Sequence, residues 1–246
     1  YQHSEEEDGV AGTTFFNKQS EARLSLNNNP WGEWQGTMGL HMVHRDFSVE
    51  GEEALTPNSK TDTLAAFIVQ ERKVGDFRFE LGGRIEHYRL APEGMILETI
   101  NGEQNYQAED LVDNDLTLSA GMVWDFAPSY NLGLSLTRAQ RSPTAEELYS
   151  FGPHDATQSF EIGSQFSIEN GQIMTDSGNN DKEIANNIDL TLRKLEGAWT
   201  GSLSMAYNRV NNFYYEKNTG LIASDIVGAD PEGDLPVYQF TQGDAE

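Results

Sequence analysis

The chain has 246 residues, and its 16 Lys and Arg against 40 Asp and Glu give a formal net charge of −24. This surplus repels phosphate backbones and no local basic patch opposes it, so no nucleic-acid partner is expected. The absence of cysteine excludes disulfides, zinc ribbons and thiol catalysis. Without a run of roughly 18 apolar residues, a membrane-spanning helix is excluded, but a membrane-spanning β-barrel is not, because its strands alternate.

Apolar residues recur with a period of two along most of the chain, which predicts strands with one apolar and one polar face. In chain order the alternating segments are Ala22–Leu26, Trp34–Met42, Phe77–Ile85, Leu116–Phe126, Asn131–Thr137, Ile188–Leu192 and Trp199–Tyr207. The segment Leu64–Val69 is apolar throughout, so its facing is ambiguous. We count about ten strands of roughly nine or more residues, longer than the usual five or six of globular sheets.

The connections between these strands alternate between short and long. The short ones are Asn27–Glu33, Lys73–Asp76, Ala127–Tyr130 and Lys194–Ala198. The long ones are Glu5–Ala11, Glu50–Ser59, Ala91–Asn114, Arg141–Ala185 and Glu216–Pro236. Tight turns at one end and long loops at the other are typical of membrane barrels with periplasmic turns and extracellular loops. A β-sandwich also alternates, but strand length, aromatic strand ends and this asymmetry favour the barrel.

A more specific motif follows the strand that ends near residue 141. It reads Arg141-Ser142-Pro143-Thr144-Ala145-Glu146-Glu147-Leu148-Tyr149. The motif resembles the strand exit of TonB-dependent outer-membrane receptors, where Arg-x-Pro-x-x-x-Glu-Leu-Tyr enters a large outer loop. Further segments resemble the zinc-uptake branch of that family: 12–15, 51–54, 75–79, 152–157, 160–163, 187–194, 207–213 and 238–246.

The resemblance implies an all-β fold, an antiparallel transmembrane β-barrel in the outer membrane of a Gram-negative cell. Residues 1–246 would form part of the barrel domain, about ten strands of the 22 or so that enclose a plugged lumen. Residues 141–185 would form a long outer loop. The family's signal peptide, TonB box, plug and closing aromatic strand are not found in this sequence, so we expect a piece of a longer protein.

The same resemblance implies uptake of a metal ion, with zinc as the first expectation and manganese or iron as alternatives. The expected partners are outer-membrane lipid, the transported ion and, through the plug region, the TonB complex. No cofactor is required. No GxSxG, GxGxxG, P-loop or HExxH motif is present, so we expect no enzyme. A siderophore or other organic ligand is the alternative within transport. A secreted acidic β-sandwich for adhesion or carbohydrate binding is the alternative from another class.

Neutral imidazole combined with carboxylates suits Zn²⁺ and neighbouring divalent ions. His154 lies beside Asp155 in the long loop, at a position where the resemblance implies a metal ligand. The alternative is a loop histidine that pairs with Asp155. His3 and Glu5 share one face of an alternating segment, which makes them further candidate ligands, although a solvated strand end explains the pattern equally.

The three remaining histidines are assigned by strand alternation. His41 shares a face with Gln35 and Thr37, so we expect it to point into the lumen as a polar wall residue. His44 and His87 fall in the opposite register near strand ends, so we expect them at the interface between lipid and water.

Overall fold

The structure is a computed structural model that describes residues 2–7, 10–51, 54–154, 156–175, 180–228 and 234–246. Strands account for 75% of the described residues and helices for 4%, which confirms the predicted all-β class. Among the described residues, no helix has the length and apolar character needed to cross a membrane.

Within these ranges the elements follow one another from a first strand at Gln2 to a last strand that ends at Ala245. The first nine strands are β1 Gln2–Glu7, β2 Val10–Trp31, β3 Trp34–Gly51, β4 Ser59–Val74, β5 Phe77–Pro92, β6 Met95–Thr99, β7 Gly102–Tyr106, β8 Leu111–Ala127 and β9 Tyr130–Arg141. The remaining elements are α1 Ala145–Tyr149, β10 Phe151–His154, β11 Ser159–Ile162, β12 Ser167–Glu169, β13 Gln172–Met174, β14 Glu183–Lys194, β15 Gly201–Ile222, α2 Ser224–Val227 and β16 Pro236–Ala245.

Twelve strands form one sheet in the order β1-β2-β3-β4-β5-β8-β9-β14-β15-β16-β11-β10. The first ten run antiparallel to their neighbours, and β11 then joins the edge of β16 in parallel. In the described part of the chain β1 and β10 do not pair, so the sheet stays open, as expected for part of a barrel. The other strands form only two small hairpins, so the alternative of two packed sheets is wrong.

Cross-strand register collects the apolar side chains on one face of the large sheet. Met42 lies opposite Leu64, and Ile85 lies opposite Leu116. The exposed members of this face include Leu24, Leu26, Leu40, Met42, Leu64, Ile68, Leu81, Ile85, Leu116, Leu118, Leu136, Ile188, Leu190, Leu192, Leu203 and Met205. Met205 keeps 68% of its surface exposed. A contiguous apolar surface of this extent needs an apolar environment to cover it.

Aromatic rings gather where the short turns connect the strands, which we call the short-turn end. The ring centroids of Phe77 and Trp124 are 5.6 Å apart, and the two rings are stacked. Phe126 lies 5.6 Å from Trp124 and 5.9 Å from Tyr130. Aromatic side chains of this kind are typical of the boundary between hydrocarbon and water.

The hydrophobic core lies at the opposite end, which we call the long-loop end. The described parts of loops 93–110, 142–182 and 223–235, with the strand ends that they cover, form a folded unit that we call the cap. Its buried apolar residues are Leu90, Leu97, Tyr106, Ala108, Ala145, Leu148, Tyr149, Phe151, Phe160, Ile162, Phe166, Ile173, Tyr214, Ala223, Ile226 and Val237. Hydrogen bonds join its parts, as where Ile100 N donates to Ile226 O at 2.7 Å. The long loops are therefore packed against one another rather than extended into solvent.

One predicted connection is wrong. The connection pattern predicts a long loop over Glu5–Ala11, but β1 continues through Glu7 and β2 begins at Val10. Pairing continues with a register shift, from Glu5 opposite Thr13 to Glu6 opposite Ala11. Backbone groups pair regardless of side-chain polarity, so an acidic run does not end a strand that has a partner.

The facing of β8 can be tested with one buried charge. Met122 lies on the apolar face opposite Leu134, whereas Ser135 lies on the polar face between Gly121 and Asp189. We expect Met122→Arg to lower the free energy of unfolding of the full-length protein in a bilayer by about 2–4 kcal/mol. Ser135→Arg should cost much less, because it places a cation opposite a carboxylate. Urea unfolding in vesicles measures both variants, and equal costs would contradict the assigned faces.

Candidate ligand site in the cap

The long loop between β9 and β14 is closed at its base by Arg141. Its guanidinium donates to both carboxylate oxygens of Glu147, at 2.9 and 2.8 Å, and its Nε donates to Glu183 at 2.8 Å. Glu183 in turn accepts from the backbone N–H of Tyr214 at 2.8 Å. A planar guanidinium suits such two-pronged carboxylate contacts. The two ends of the loop are therefore held together and tied to β15.

The residues that follow Arg141 start helix α1. Thr144 Oγ1 accepts from Glu147 N at 3.3 Å, and the Glu147 carboxylate accepts from Thr144 N at 2.8 Å. This reciprocal arrangement is a capping box, which satisfies two free N–H groups at a helix start. The helix then buries Ala145, Leu148 and Tyr149 in the cap. The Thr-x-x-Glu spacing within the sequence motif is thus the spacing that a capping box needs.

A second set of polar contacts ties the loop to β8. Ser142 donates from its backbone N and its Oγ to Asp115, at 3.0 and 2.9 Å. From the other end of the loop, Lys182 Nζ lies 2.7 Å from Asp113 and 3.4 Å from Asp115. Although burial lowers the pKa of Lys182, the hydrogen bonds and charges of Asp113 and Asp115 raise it overall. This pair of contacts keeps both loop ends beside the same strand.

The hairpin of β10 and β11 crosses from one part of the sheet to another. On one side, β11 pairs with β16 from Phe160 opposite Val237 onward. On the other side, Phe151 N donates to Leu55 O at 2.6 Å, in the loop that precedes β4. The hairpin is therefore supported at both of its edges, and its two strands carry His154 and Glu161 of the candidate site.

His154 faces Glu161 across this hairpin. The His154 Nδ1 lies 2.5 Å from Glu161 Oε1, and Thr157 Oγ1 donates to the same oxygen at 3.2 Å. Only 5% of Glu161 is exposed, whereas a third of the His154 side chain remains accessible. Its Nε2 makes no hydrogen bond to the described residues. The accessible Nε2 of His154 is thus on a ring whose other nitrogen contacts the buried carboxylate of Glu161.

Glu216 on β15 adds a second carboxylate to this neighbourhood. Its pKa is raised first by burial and then by the charge of Glu161, while the charge of His154 lowers it. Two carboxylates that repel each other beside an imidazole form an environment that favours a cation. Among the described residues, however, no three His, Asp or Glu side chains are close enough together to hold a metal ion.

A match along nearly the whole chain shows which family the protein belongs to. Residues 2–244 match the family described as TonB dependent receptor-like, beta-barrel. The chain belongs to this family. Its members are receptors and transporters, and their barrels lie in the outer membrane. The predicted TonB-dependent receptor barrel is therefore confirmed, which makes the apolar face of the sheet the lipid side and the polar face the lumen side.

Two solved receptor structures are similar to the chain. One is a double mutant of the Serratia marcescens hemophore receptor HasR in complex with its hemophore HasA and heme, with a TM-score of 0.64 and 11% identity, covering 95% of this chain and 38% of that one. The other is the siderophore receptor PirA from Pseudomonas aeruginosa, with a TM-score of 0.47, 12% identity and coverage of 95% and 45%. The likeness to HasR confirms the fold. The chain spans less than half the length of either structure.

The residues predicted as metal ligands are only partly described by the structure. Asp155 lies outside the described residues. His3 and Glu5 lie in β1, opposite Phe15 and Thr13. The structure describes their backbone but not their side chains. Because β1 and β10 stand at opposite ends of the strand order, alternation along β1 gives no indication of what His3 faces. The involvement of these three residues stays a prediction.

The other histidines lie where alternation placed them. On the lumen side, His41 Nε2 is 2.8 Å from Glu21, and Arg84 donates to its Nδ1 at 3.3 Å. On the lipid side, His44 Nδ1 lies 2.7 Å from Asp62, and His87 Nδ1 lies 3.1 Å from Asn114. Both belong to the long-loop end of their strands. All three have polar partners that account for them without a ligand.

Two residues of the candidate site were missed by sequence reasoning. In the sequence, Glu161 belongs to one of the segments that resemble the receptor family, and Glu216 begins a predicted long loop. The hairpin register from Phe151–Ile162 to His154–Ser159 is what brings Glu161 near His154. A turn signal at residues 155–158 would have suggested that hairpin. No local sequence signal places Glu216 near this hairpin, because β15 lies next to β16, and β16 in turn pairs with β11.

The base of the loop can be tested by removing its guanidinium. We expect Arg141→Ala to destabilise the closed base by roughly 1–3 kcal/mol, because two carboxylates lose their charged donors. Limited proteolysis of the full-length receptor should then cut the segment 142–182 faster. Arg138→Ala is the matched control, since Arg138 only donates to Asn186 at 3.0 Å on the lipid side. Cleavage at the wild-type rate in both variants would contradict the role of Arg141.

The raised pKa of Glu216 predicts a pH-dependent effect on the cap. A carboxyl whose pKa is raised in the folded state destabilises that state as the pH rises through the folded pKa. Glu216→Gln should therefore slow amide exchange in the cap of the metal-free receptor near pH 7. The effect should vanish near about pH 3, where wild-type Glu216 is protonated as well. Glu98→Gln, at an exposed site in the β6–β7 hairpin, is the control, and a Glu216→Gln effect that persists at low pH would refute the explanation.

Proposed function

We propose that the chain forms part of an outer-membrane receptor that captures and imports a metal ion, with zinc as the preferred ion. The observation that carries this proposal is the contact of the accessible His154 imidazole with Glu161 in the cap, with the charge of Glu216 nearby. A mixed nitrogen and oxygen donor set suits zinc better than calcium or magnesium, which prefer oxygen alone. In the described part of the chain these three side chains do not yet meet in one metal-binding cluster.

The site needs more donors than these three residues. Zinc sites have four ligands, or three protein ligands and an open position. Asp155 follows His154 directly in the hairpin turn, so it is the first candidate for a further ligand. His3 and Glu5 are proposed as ligands that approach from β1. Movement of one side chain towards the ion would complete the set, because His154 and Glu161 are already in contact.

The charge of the cap supports capture of a cation. The segment 93–113 carries six carboxylates and no Lys or Arg. These residues are Glu93, Glu98, Glu103, Glu109, Asp110 and Asp113. Asp110 and Asp113 are paired with Arg89 and Lys182, which leaves the four glutamates as the excess negative charge. Excess charge of one sign raises the local concentration of oppositely charged ligands and speeds their association. The cap would thus collect cations before His154 binds them.

Transport itself also requires a plug region and the TonB complex. We propose that the ion passes from the cap into the lumen and that the TonB complex drives its release through a plug region of the longer receptor. Lipid contacts the apolar face. No covalent chemistry is proposed for this chain, which acts as a binding and guiding wall rather than as an enzyme.

Removal of His154 tests the proposed ion. In the full-length receptor, we expect His154→Ala to weaken zinc binding by more than tenfold, equivalent to more than about 1.4 kcal/mol. Binding to the wild type should also fade below roughly pH 6, because protons compete for the imidazole. Isothermal titration calorimetry with zinc chloride measures both effects.

His87→Ala is the matched control, because His87 lies on the lipid side with Asn114 as its partner. Its zinc affinity should equal that of the wild type. Equal affinities for wild type and His154→Ala would remove His154 from the site. Absence of zinc binding in the wild type would favour an organic ligand, such as a siderophore, and would overturn the proposed ion while leaving the receptor fold intact.

A further inference from the structure

Glu161 lies on a strand that has a partner on each side. β11 pairs with β10 on one side and with β16 on the other, so Glu161 is opposite Gly152 in the first pairing and Tyr238 in the second. Because both neighbours hold the main chain of Glu161, its backbone has little freedom to move. A group carried by such a strand is positioned more precisely than one carried by a loop.

The register of the hairpin explains how Glu161 contacts His154. Gly152 and His154 share one face of β10, and their partners on β11 share the same face. Glu161 and His154 are therefore diagonal neighbours, at a spacing that long side chains can bridge. Gly152, directly opposite Glu161, has no side chain to separate the two. A Cβ at position 152 would lie 3.0 Å from Leu55 Cβ, so the loop before β4 packs closely on this face.

One oxygen of Glu161 already has two polar partners. His154 Nδ1 lies 2.5 Å from Oε1, and Thr157 Oγ1 donates to the same atom at 3.2 Å. Ser159 Oγ lies 2.6 Å from Thr157 Oγ1 and can donate to it, which leaves the Thr157 proton for Glu161. Only 5% of Glu161 is exposed. To bind an ion with this oxygen, Glu161 would have to give up one of these donors.

The contact with Glu161 decides which nitrogen of His154 carries the proton. A carboxylate oxygen only accepts hydrogen bonds, so Nδ1 must be the N–H group of a neutral imidazole. The lone pair is then on Nε2, in a side chain that keeps 34% of its surface exposed. Without the carboxylate both tautomers would form, and one of them places a proton on Nε2, where it blocks an ion.

We propose that Glu161 is a positioning residue, which acts on the ion through His154 and is not itself a ligand. The inference rests on the proposed function, because it names the nitrogen atom that an incoming zinc ion meets. A carboxylate on one nitrogen of an imidazole fixes the orientation of the ring and makes the other nitrogen a better donor. Glu161 therefore keeps the accessible Nε2 free and directed outwards for the ion.

His154 and Glu161 are thus one prepared donor rather than two. Nδ1 and Oε1 are engaged with each other, so both residues could ligate one ion only after separating. Nε2 is on the other side of the ring and needs no such rearrangement. Glu216 interacts electrostatically with both residues. It remains the described carboxylate of the site that can supply an oxygen ligand.

Nitrogen NMR tests the tautomer without any metal. The full-length receptor, labelled with nitrogen-15 in its histidine rings, is measured metal-free in phospholipid nanodiscs at about pH 9, well above the ordinary pKa of histidine. His154→Gln identifies the signals of His154. We expect a protonated Nδ1 and an unprotonated Nε2 in the wild type. In Glu161→Ala the proton should be shared between the two nitrogens. A protonated Nε2 in the wild type would overturn the proposal.

Zinc titration distinguishes a positioning residue from a ligand. Glu161→Ala should weaken zinc binding by about 10- to 100-fold, the usual cost of removing a group that orients a metal-binding histidine. Glu161→Gln keeps an oxygen that accepts from Nδ1, so it should keep the wild-type tautomer and recover much of the affinity. Equal losses of affinity in the two variants would make Glu161 a ligand and overturn its positioning role.

Glu169→Ala is the matched control, since Glu169 is an exposed carboxylate in the same long loop. It should keep both the wild-type nitrogen signals and the wild-type zinc affinity. If the wild type binds no zinc, the proposed ion is wrong, while the nitrogen signals still decide whether Glu161 fixes the tautomer. An unchanged tautomer in Glu161→Ala would refute the positioning role even where zinc binds.

Discussion

Every backbone N–H and C=O of a membrane-crossing strand must find its partner in a neighbouring strand, because hydrocarbon offers none. This constraint explains the long, regular ladders from β2 to β15 and the register that keeps one face apolar. It also explains why the sheet has little hydrophobic core of its own. Its apolar face is covered by lipid, and its polar face lines the lumen. Most of the buried apolar side chains among the described residues collect in the cap instead.

The cap combines an apolar interior with charged contacts at its base. Arg141 with Glu147 and Glu183, and Lys182 with Asp113 and Asp115, hold both ends of one loop near β8 and β15. Since these contacts are spread around the base, the β10–β11 hairpin can extend to His154 without losing its orientation. His154 and Glu161 thus sit on a braced hairpin, which favours a defined position for their side chains.

Much of the sheet was predictable from local pattern, and the site was not. Alternation from Leu116 to Phe126 predicts most of β8, and the motif from Arg141 to Tyr149 predicts the loop entry. The strands extend further than the pattern, as β2 does on both sides of Ala22–Leu26, because pairing continues where side chains are polar. Glu161 and Glu216 come together only through the order β15-β16-β11. Such neighbours are set by topology, which residue spacing along one chain does not contain.

The position of the aromatic end determines what intrinsic fluorescence can report. The chain has four tryptophans. Trp31 and Trp34 flank the turn between β2 and β3, Trp124 lies near the end of β8, and Trp199 precedes β15. All of them lie at the short-turn end, so the cap contains no tryptophan among its described residues. Opening of the cap would leave the emission spectrum unchanged, and a single-wavelength refolding trace would record insertion of the wall while missing assembly of the loops.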